Sequence, residues 1–506
     1  MTVDWQPLVD SYLATHRTDG VGIADVDLAE QWLANASGYT APGSWRGRIV
    51  NGTLWVRPIH LYAAWMERAS VLRILFMALR QAAPGEIPDS EFVFAAGDHD
   101  PTHCPTCGCG AASAIKPPHC HLPVFVNARA AGSSALPLPE QTWVGVRDTP
   151  PWCQQSAELA RTARALTWDA RDDRAYFAGS CATGASRQAL LALALAHAKE
   201  LDVRDSGYDA SGTVHRQERQ RANRRHDRLG SSRGAGNGTG GTGGMSRTRT
   251  SPTHACRYRY LLSIPGFGYA SRLRALLACG SVVVHIPHAS HEFFEPLLKD
   301  GVHLVRLARG GVGTGGGPLA RRAVMTSLLP ALSELRNDQP RAQRIARAAR
   351  LFAVGHLSFA SVLRYTRVLL GAYGRLYRSP PPGSGDELWR RDDDLEVASR
   401  YMRIDNEADL MRVMRLCSCT APNSPCMRQP GAGLSSPVSY APRPCPGARG
   451  KLPGLTGGWA PTQVAERRCC PMVRPKETRG VAPCWEARCC RGWDCPDKPL
   501  ACDERP

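Results

Sequence analysis

The side chains most capable of chemistry crowd into one short segment, GDHDPTHCPTCGCG, residues 97–110. Its aspartates, Asp98 and Asp100, follow the run EFVFAAG, which is typical of a short buried strand. A carboxylate at the carboxyl end of a strand, facing a cleft, can take the proton of a substrate hydroxyl. Asp98 is therefore the first candidate for a general base and Asp100 the second. By position alone, an aspartate that caps a turn is the simpler interpretation.

The same segment and the residues after it could hold a metal ion. The potential ligands are Cys104, Cys107, Cys109, His119 and Cys120, with His121 beside them. Thiolates and imidazoles in this number suffice for a tetrahedral zinc site. They outnumber the four ligands that zinc takes, and the spacing is not that of a known zinc finger. A loop of inert or disulfide-bonded cysteines is the favoured interpretation, and structural zinc is the alternative.

Two glycine- and serine-containing turns, each between a predicted strand and a predicted helix, could bind phosphate. Their sequences are GSCATGASR and GYASR, and they contribute Ser180, Thr183, Arg187, Gly268, Ser271 and Arg272. Backbone N–H groups at a helix N-terminus, small hydroxyls and arginine are the groups that commonly bind phosphate in proteins. Such turns are common, however, and an arginine on a helix is more often solvated than functional.

Hydrophobic periodicity places these turns in an alternation of strands and helices. Asn51-Gly52 between two β-rich runs predicts a hairpin. Strands are predicted at EFVFAAG, LPVFVNA, RAYFAGS, CRYRYLLSIPG, SVVVHIP and VHLVRL, and helices at residues 187–199, YASRLRALLACG, EFFEPLLKDG, 319–335, 341–352 and 359–377. This alternation favours an α/β architecture with a mostly parallel sheet.

The chain carries a formal net charge of +18 over 506 residues, and much of it lies in one segment. Residues 204–249 hold ten arginines against four acidic residues and few apolar ones, a composition typical of disorder. Charge of this kind also suggests an anionic partner. No segment offers the run of about 20 apolar residues that a membrane helix needs, and the opening residues show no secretion signal.

One longer block carries a family resemblance. The segment YRYLLSIPGFGYASRLRALLACGSVVVHIPHASHEFFEPLLKDGVHLVRL, residues 258–307, resembles the donor-binding half of glycosyltransferase family 90. That family includes animal protein O-glucosyltransferases and fungal capsular xylosyltransferases. RIVNGTLWVR, IPDSEFVFAAGDHD and RAYFAGSCATGASRQALL are similar to its other motifs, in the expected order. The resemblance covers about residues 5–377, without the arginine-rich insertion.

The resemblance implies a GT-B-like fold, in which two Rossmann-like domains face a cleft, with a disordered insertion and tail in this chain. It implies inverting, metal-independent transfer of glucose or xylose from a UDP-sugar to a hydroxyl of a protein or glycan, with Asp98 as the base. No cofactor is expected besides this donor substrate. The residues implied to bind the donor are Ser180, Thr183, Arg187, Gly268, Ser271, Arg272 and Glu292. Arg272 stands in the densest part of the match, and Glu292 would bind the ribose unless it only complements a helix dipole.

Three positions depart from the family motifs. Gly97 and Ala178 replace arginines, and Gly301 replaces a tryptophan. The missing cation at Ala178 is compatible with a weak or inactive enzyme. The family usually works in the lumen of the endoplasmic reticulum or Golgi, which is the compartment that the resemblance implies.

These observations predict five divisions of the chain. They are an acceptor-side α/β domain over residues 1–170, the start of a donor-side domain over 171–202, a disordered insertion over 203–254, the donor-binding part with closing helices over 255–377, and a low-complexity tail over 378–506. Within the tail, one short amphipathic stretch is predicted near residues 396–416, and residues 417–506 are predicted to be unstructured. A rival interpretation is a basic nucleic-acid-binding protein that uses the insertion and a zinc-bound Cys/His loop. It is disfavoured because the insertion offers one aromatic residue, Tyr208, for base stacking among its arginines.

Overall fold

The computed structural model describes residues 3–35, 43–60, 70–98, 100–102, 121–146, 149–205, 251–266, 268–307, 318–378 and 401–415. These residues fall into two compact units. The first contains Trp152–Ser361, and the second contains Asp4–Pro151 together with the residues from Val362 on. Each unit combines helices with its own β-sheet, which confirms the α/β class.

Helices and strands alternate along most of the described chain. The helices are α1 (Gln6–Leu13), α2 (Ile23–Asn35), α3 (Val71–Gln81), α4 (Trp152–Ala165), α5 (Ala185–Ala196), α6 (Pro252–Ala255), α7 (Leu273–Ala278), α8 (Pro318–Asn337), α9 (Gln339–His356), α10 (Phe359–Leu376) and α11 (Glu407–Arg415). The strands are β1 (Val21–Gly22), β2 (Ser44–Val50), β3 (Thr53–His60), β4 (Ser90–Ala95), β5 (Val124–Val126), β6 (Arg129–Ala130), β7 (Leu136–Pro137), β8 (Asp172–Gly179), β9 (Leu201–Asp205), β10 (Tyr258–Ser263), β11 (Val282–His285), β12 (Ser290–His291), β13 (Val305–Arg306), β14 (Tyr377–Arg378) and β15 (Met402–Ile404).

The first unit is built on a five-stranded sheet in the order β13-β11-β10-β8-β9. All of its neighbouring strands are parallel. Counted along the chain, this is the doubly wound order 2-1-3-4-5, in which the direction of winding reverses between the first and third strands. The reversal therefore falls between β8 and β10, and ligands of such sheets bind at the carboxyl ends of the strands at that point.

Alternate strand residues build the main core of this unit. Phe177 of β8, Tyr260 of β10 and Val284 of β11 pack with apolar side chains of α5 and α8. Burying both faces of the sheet explains why its strands are near-continuous apolar runs such as SVVVHIP. The parallel sheet expected from the sequence is confirmed here.

The second unit has a mixed sheet in the order β15-β3-β2-β4-β5-β7. The β2–β3 hairpin turns at Asn51 and Gly52, whose φ angles are +49° and +73°. Positive φ at both central residues is the backbone of a type I′ turn, so the predicted Asn-Gly hairpin is confirmed. The buried face predicted for α10 is also confirmed, since Val362, Tyr365 and Tyr373 are fully buried. Strands β2, β3 and β15 are antiparallel to their partners, so this sheet is not the mostly parallel one expected.

Several predicted elements are shorter than expected. The helix predicted at EFFEPLLKDG is wrong, because only the 3₁₀ turn Glu295–Leu297 forms there. Pro296 removes a backbone donor, and Leu298 already has an extended backbone with ψ of 126°. The strand predicted at VHLVRL is reduced to the two residues of β13.

The structure extends into two segments predicted to lack order. Residues 203–205 continue β9, and α6 begins at Pro252, whereas the insertion was predicted over 203–254. Strand β15 pairs with β3 inside the predicted tail, and α11, with Leu410 and Val413 buried, confirms the amphipathic stretch predicted near residues 396–416. The remaining parts, 206–250, 379–400 and 416–506, lie outside the described residues.

A disulfide joins Cys256 to Cys279 in the first unit, 23 residues apart in sequence. Arg171 supports it, because its Nη1 donates to the carbonyl oxygens of both cysteines at 2.8 and 3.0 Å. We expect the double substitution Cys256→Ser and Cys279→Ser to lower the free energy of unfolding by about 3 kcal/mol, since the open chain regains loop entropy. Urea denaturation measures this. A reducing agent should destabilise the natural protein similarly, and equal stability of both forms would contradict the prediction.

None of the helices in the described ranges is long and apolar enough to cross a membrane.

Candidate functional site

The predicted donor-binding residues meet at the carboxyl edge of the parallel sheet. Ser180, Thr183 and Arg187 follow β8, and Gly268, Ser271 and Arg272 follow β10. These two strands are hydrogen-bonded neighbours on either side of the winding reversal. The two phosphate-binding turns proposed from the sequence are therefore brought side by side at the position where doubly wound sheets hold their ligands.

The guanidinium group of Arg272 lies over the ring of Phe177. Its Cζ is 4.7 Å from the ring centroid, a distance at which a cation is attracted to the face of an aromatic ring. The group also packs directly on Gly179, where an added Cβ would collide with both of its terminal nitrogens. A side chain at position 179 would therefore displace the Arg272 guanidinium. Within the described part of the chain, no hydrogen bond or ion pair of the Arg272 guanidinium is found.

Arg187 lies over the same ring, with its Cζ 5.5 Å from the centroid. Its Nε and Nη2 donate to the carbonyl oxygen of Ile264 at 3.1 and 2.9 Å. Its Nη1 donates to the carbonyl oxygen of Ser180 at 3.2 Å and to Oγ1 of Thr183 at 2.8 Å. Arg187 therefore ties the turn after β8 to the turn after β10.

Arg187, which is buried, and Arg272, which is half-buried, form a positive site. Burial lowers the pKa of Arg187 to about 9, and the neighbouring Arg272 charge adds to this shift. Burial lowers the pKa of Arg272 to about 10. Both side chains are still cationic at neutral pH. No carboxylate neutralises either guanidinium among the residues described, so the site has a positive charge that an anion would stabilise.

The other residues predicted to bind phosphate differ in burial and in the hydrogen bonds that they already make. Thr183 donates its hydroxyl proton to the carbonyl oxygen of Ser180 at 2.9 Å, so the hydroxyl is used inside its own turn. Ser180 and Gly268 are buried, whereas Ser271 is exposed at the surface of the second turn. Gly266 permits the close approach of the two turns, because a Cβ there would lie 2.9 Å from Oγ1 of Thr183.

Glu292 lies beyond the next strand, β11, and is 1% exposed. Its Oε1 is 3.8 Å from Nη1 of Arg274, which is itself buried. The helix that Glu292 was expected to begin does not form, so helix-dipole complementation does not account for this buried carboxylate.

The two candidate bases follow β4 in the second unit and differ in their surroundings. Asp98 is half-buried. Asp100 is 4% exposed: its Oδ1 accepts from N–H and Oγ1 of Thr102 at 2.9 and 2.6 Å, and its Oδ2 accepts from the N–H of Ala130 at 3.0 Å. Asp100 therefore connects two loops, which leaves Asp98 as the better candidate for proton transfer.

We expect Asp100→Ala to lower the free energy of unfolding by roughly 3 kcal/mol, because it leaves buried backbone donors without acceptors. The exposed Asp19 supplies the control, and Asp19→Ala should change stability by less than about 0.5 kcal/mol. Chemical denaturation of both variants gives the comparison. A fully stable Asp100→Ala protein would refute the structural role.

Position 178, where the family motif has arginine, faces an arginine on the neighbouring strand. Ala178 of β8 is paired in register with Arg204 of β9. The Arg204 guanidinium does not replace the missing cation, because it bonds to Asp202 at 3.2 and 3.3 Å.

The proposed zinc ligands Cys104, Cys107, Cys109, His119 and Cys120 lie outside the described residues. In the part that is described, no three His, Cys, Asp or Glu side chains cluster in a way that could hold a metal ion.

Sequence reasoning missed Phe177 and Glu295. Phe177 was included only as part of an apolar strand, yet its ring contacts both arginines. Glu295 was assigned to a helix that does not form, yet its carboxyl group accepts the N–H of Glu292 at 2.9 Å. No local pattern distinguishes either residue from an ordinary core or surface position.

Comparison with known proteins finds relatives named as O-glucosyltransferases. Protein O-glucosyltransferase 1 from Mus musculus is 24% identical over 227 residues, 44% of this chain and 47% of the relative. O-glucosyltransferase rumi homolog from Anopheles gambiae is 27% identical over 217 residues, 43% and 45% of the two chains. O-glucosyltransferase rumi from Drosophila pseudoobscura pseudoobscura is 31% identical over 121 residues, which are 24% of this chain and 27% of the relative. The chain thus matches less than half the length of these curated relatives.

The family profile described as glycosyl transferase family 90 matches residues 41–427, which include both candidate bases and every predicted donor-binding residue. That span is most of the chain, and the chain belongs to glycosyl transferase family 90.

Proposed function

We propose that this protein transfers a sugar, glucose or xylose, from a UDP-sugar to a hydroxyl group of a protein or glycan, with inversion at the anomeric carbon. Family membership and the relatives named O-glucosyltransferase support this proposal. The proposal includes a GT-B arrangement, for which two α/β units, each with its own sheet, are the required parts.

The observation that carries the proposal is the pair of arginines on Phe177. The diphosphate of a UDP-sugar carries two negative charges and gains a third as UDP leaves, and stabilising that charge requires preorganised positive charge. Arg272 would hydrogen-bond the diphosphate oxygens, since a guanidinium presents a fork of donors that matches phosphate. Arg187 would keep the two turns in place and contribute its charge. Ser180, Thr183, Gly268 and Ser271 would line the same site, and Glu292 would accept a hydrogen bond from the ribose.

The acceptor hydroxyl must lose a proton as it attacks the anomeric carbon. Asp98 would take that proton, because it follows a strand end and Asp100 is committed to three hydrogen bonds. The new bond joins the acceptor oxygen to the sugar, the bond to the UDP oxygen breaks, and the electron pair leaves with UDP. No step requires a metal ion or a further cofactor.

We propose the lumen of the endoplasmic reticulum or Golgi as the place of action. The Cys256–Cys279 disulfide supports this, because structural disulfides persist in oxidising compartments. The nucleic-acid-binding alternative depends on segments 206–250 and 103–120, which lie outside the described residues, and none of the described contacts favours it.

The test is a UDP-release assay on the full chain with UDP-glucose, UDP-xylose and UDP-galactose, each with and without an acceptor peptide or glycan. Acceptor-dependent release from one donor is the expected result. Failure to bind or cleave any of the three donors, with the disulfide intact and the protein folded, would refute the proposal.

A further inference from the structure

A nearly buried carboxyl group, that of Glu295, lies next to Glu292 and takes no part in the chemistry proposed above. Its side chain is 11% exposed. Its Oε1 accepts the N–H of Glu292 at 2.9 Å, and its own N–H donates to the carbonyl oxygen of Glu292 at 3.1 Å. These two hydrogen bonds stabilise the turn from Glu292 to Glu295.

The second carboxyl oxygen of Glu295 faces the parallel sheet. Oε2 lies 3.7 Å from Nε2 of His285, the last residue of β11. Nδ1 of the same imidazole lies 3.1 Å from Oγ of Ser263, the last residue of β10. Ser263 and His285 are also paired in register. Polar contacts therefore run from the ends of two central strands to the turn that carries Glu292.

We propose that Glu295 is a positioning residue of the donor site: its carboxyl group holds the turn carrying Glu292 by a hydrogen bond and packs against His285 at the end of β11. The inference rests on the proposed function, since the proposed role of Glu292 is to bind the donor. A simple helix-capping role does not explain the placement, because the turn ends after three residues and no helix follows it in the described residues up to 307.

The protonation state of the Glu295 carboxyl group depends on its burial and on the charged groups around it. The charge of Arg306 on β13 influences the pKa values of both Glu295 and His285, and His288, which follows β11, also influences that of His285. Glu292, on the same turn as Glu295, lies near Arg274 of α7. Burial raises the pKa of Glu295 to about 7 and lowers the pKa of His285 to about 3. Both groups are therefore mostly neutral near pH 6.

The direction of the pH effect follows from this raised pKa. A protonated Glu295 fits a buried site, whereas the ionised form places a negative charge there, near an anionic donor. Because burial penalises the ionised form, the stability that the folded site gains from Glu295 is complete at pH values below the ordinary carboxyl range and is lost as the pH rises through about 7. Donor binding should weaken over the same interval.

Two variants separate positioning from general stability. Glu295→Gln retains an oxygen for the N–H of Glu292 and nearly the same shape, and it cannot ionise. Binding of UDP-glucose, whose phosphates do not titrate near pH 7, is measured by calorimetry on the full chain between pH 6 and 8. We expect the affinity of the natural protein for UDP-glucose to fall by up to about tenfold from pH 6 to pH 8, since the protonated form of Glu295 is depleted as the group ionises. Glu295→Gln should stay flat, and Glu295→Ala should bind about fivefold more weakly at pH 6.

Amide hydrogen exchange provides a readout that needs no donor. The protection factor of the Glu292 amide should fall about fivefold or more in Glu295→Ala and remain near natural in Glu295→Gln. Glu334→Ala, at an exposed glutamate of α8, is the control and should change neither measurement. Unchanged protection in Glu295→Ala, or equal pH profiles for the natural protein and Glu295→Gln, would overturn the inference. If UDP-glucose, UDP-xylose and UDP-galactose all fail to bind the natural protein, the proposed function fails instead, and amide exchange still decides whether Glu295 holds the turn.

Discussion

Replacing Asp98 with asparagine is expected to reduce sugar transfer by about 10²- to 10⁴-fold, the usual contribution of a general base. Asparagine has nearly the same shape but cannot accept a proton under these conditions, so the acceptor hydroxyl would remain a poor nucleophile. The dissociation constant for UDP should change little, because the arginines and Glu292 lie in the other compact unit. Initial rates of transfer, together with calorimetry of UDP binding, measure the two effects separately.

The exposed Asp19 provides a matched control in the same unit, and Asp19→Asn should transfer sugar at the natural rate. Full activity of Asp98→Asn would remove Asp98 from the role of base. Equal loss of transfer and of UDP binding would show that Asp98 supports the structure instead of the chemistry.

Replacing Arg272 with alanine should weaken UDP-sugar binding by about 10- to 100-fold, the range for losing hydrogen bonds to a charged group. Transfer should fall at least as much, because charge on the leaving diphosphate increases in the transition state. Arg272→Lys should recover only part of the affinity, since lysine retains the charge but lacks the planar fork of donors. Calorimetry with each UDP-sugar and initial rates give both quantities.

A second variant tests placement of the same charge without removing it. In Gly179→Ala, the new Cβ would collide with the Arg272 guanidinium, so binding should weaken by an intermediate amount while the arginine remains. The control is Arg344→Ala, at an exposed arginine of α9, which should bind donor normally. Natural affinity in Arg272→Ala would contradict the assignment of the diphosphate site.

The local features of this fold could be predicted because they depend on neighbouring residues. Asn51 and Gly52 determine the hairpin through their tolerance of positive φ. The spacing of Val362, Tyr365 and Tyr373 determines the buried face of α10. The helix predicted at EFFEPLLKDG failed where Pro296 and the contacts of Glu295 outweighed the apolar pattern.

The choice between the two candidate bases depended on contacts between distant parts of the chain. Asp98 and Asp100 are two residues apart and of one type, yet only Asp100 is buried and bonded to the N–H of Ala130. Nothing in the local pattern could distinguish them, because the donor on Ala130 belongs to another loop.

By itself, the sequence determined the chemistry available: the residue types, the strand-to-helix turns that carry them and the family motifs. Only the tertiary structure decided that β8 and β10, separated by the arginine-rich insertion, are neighbours in the sheet. That pairing brings Arg187 and Arg272 to one ring, Phe177. The physical reason is that strand order is selected by burial and hydrogen bonding between remote segments, whereas periodicity reports only which face of each segment is buried.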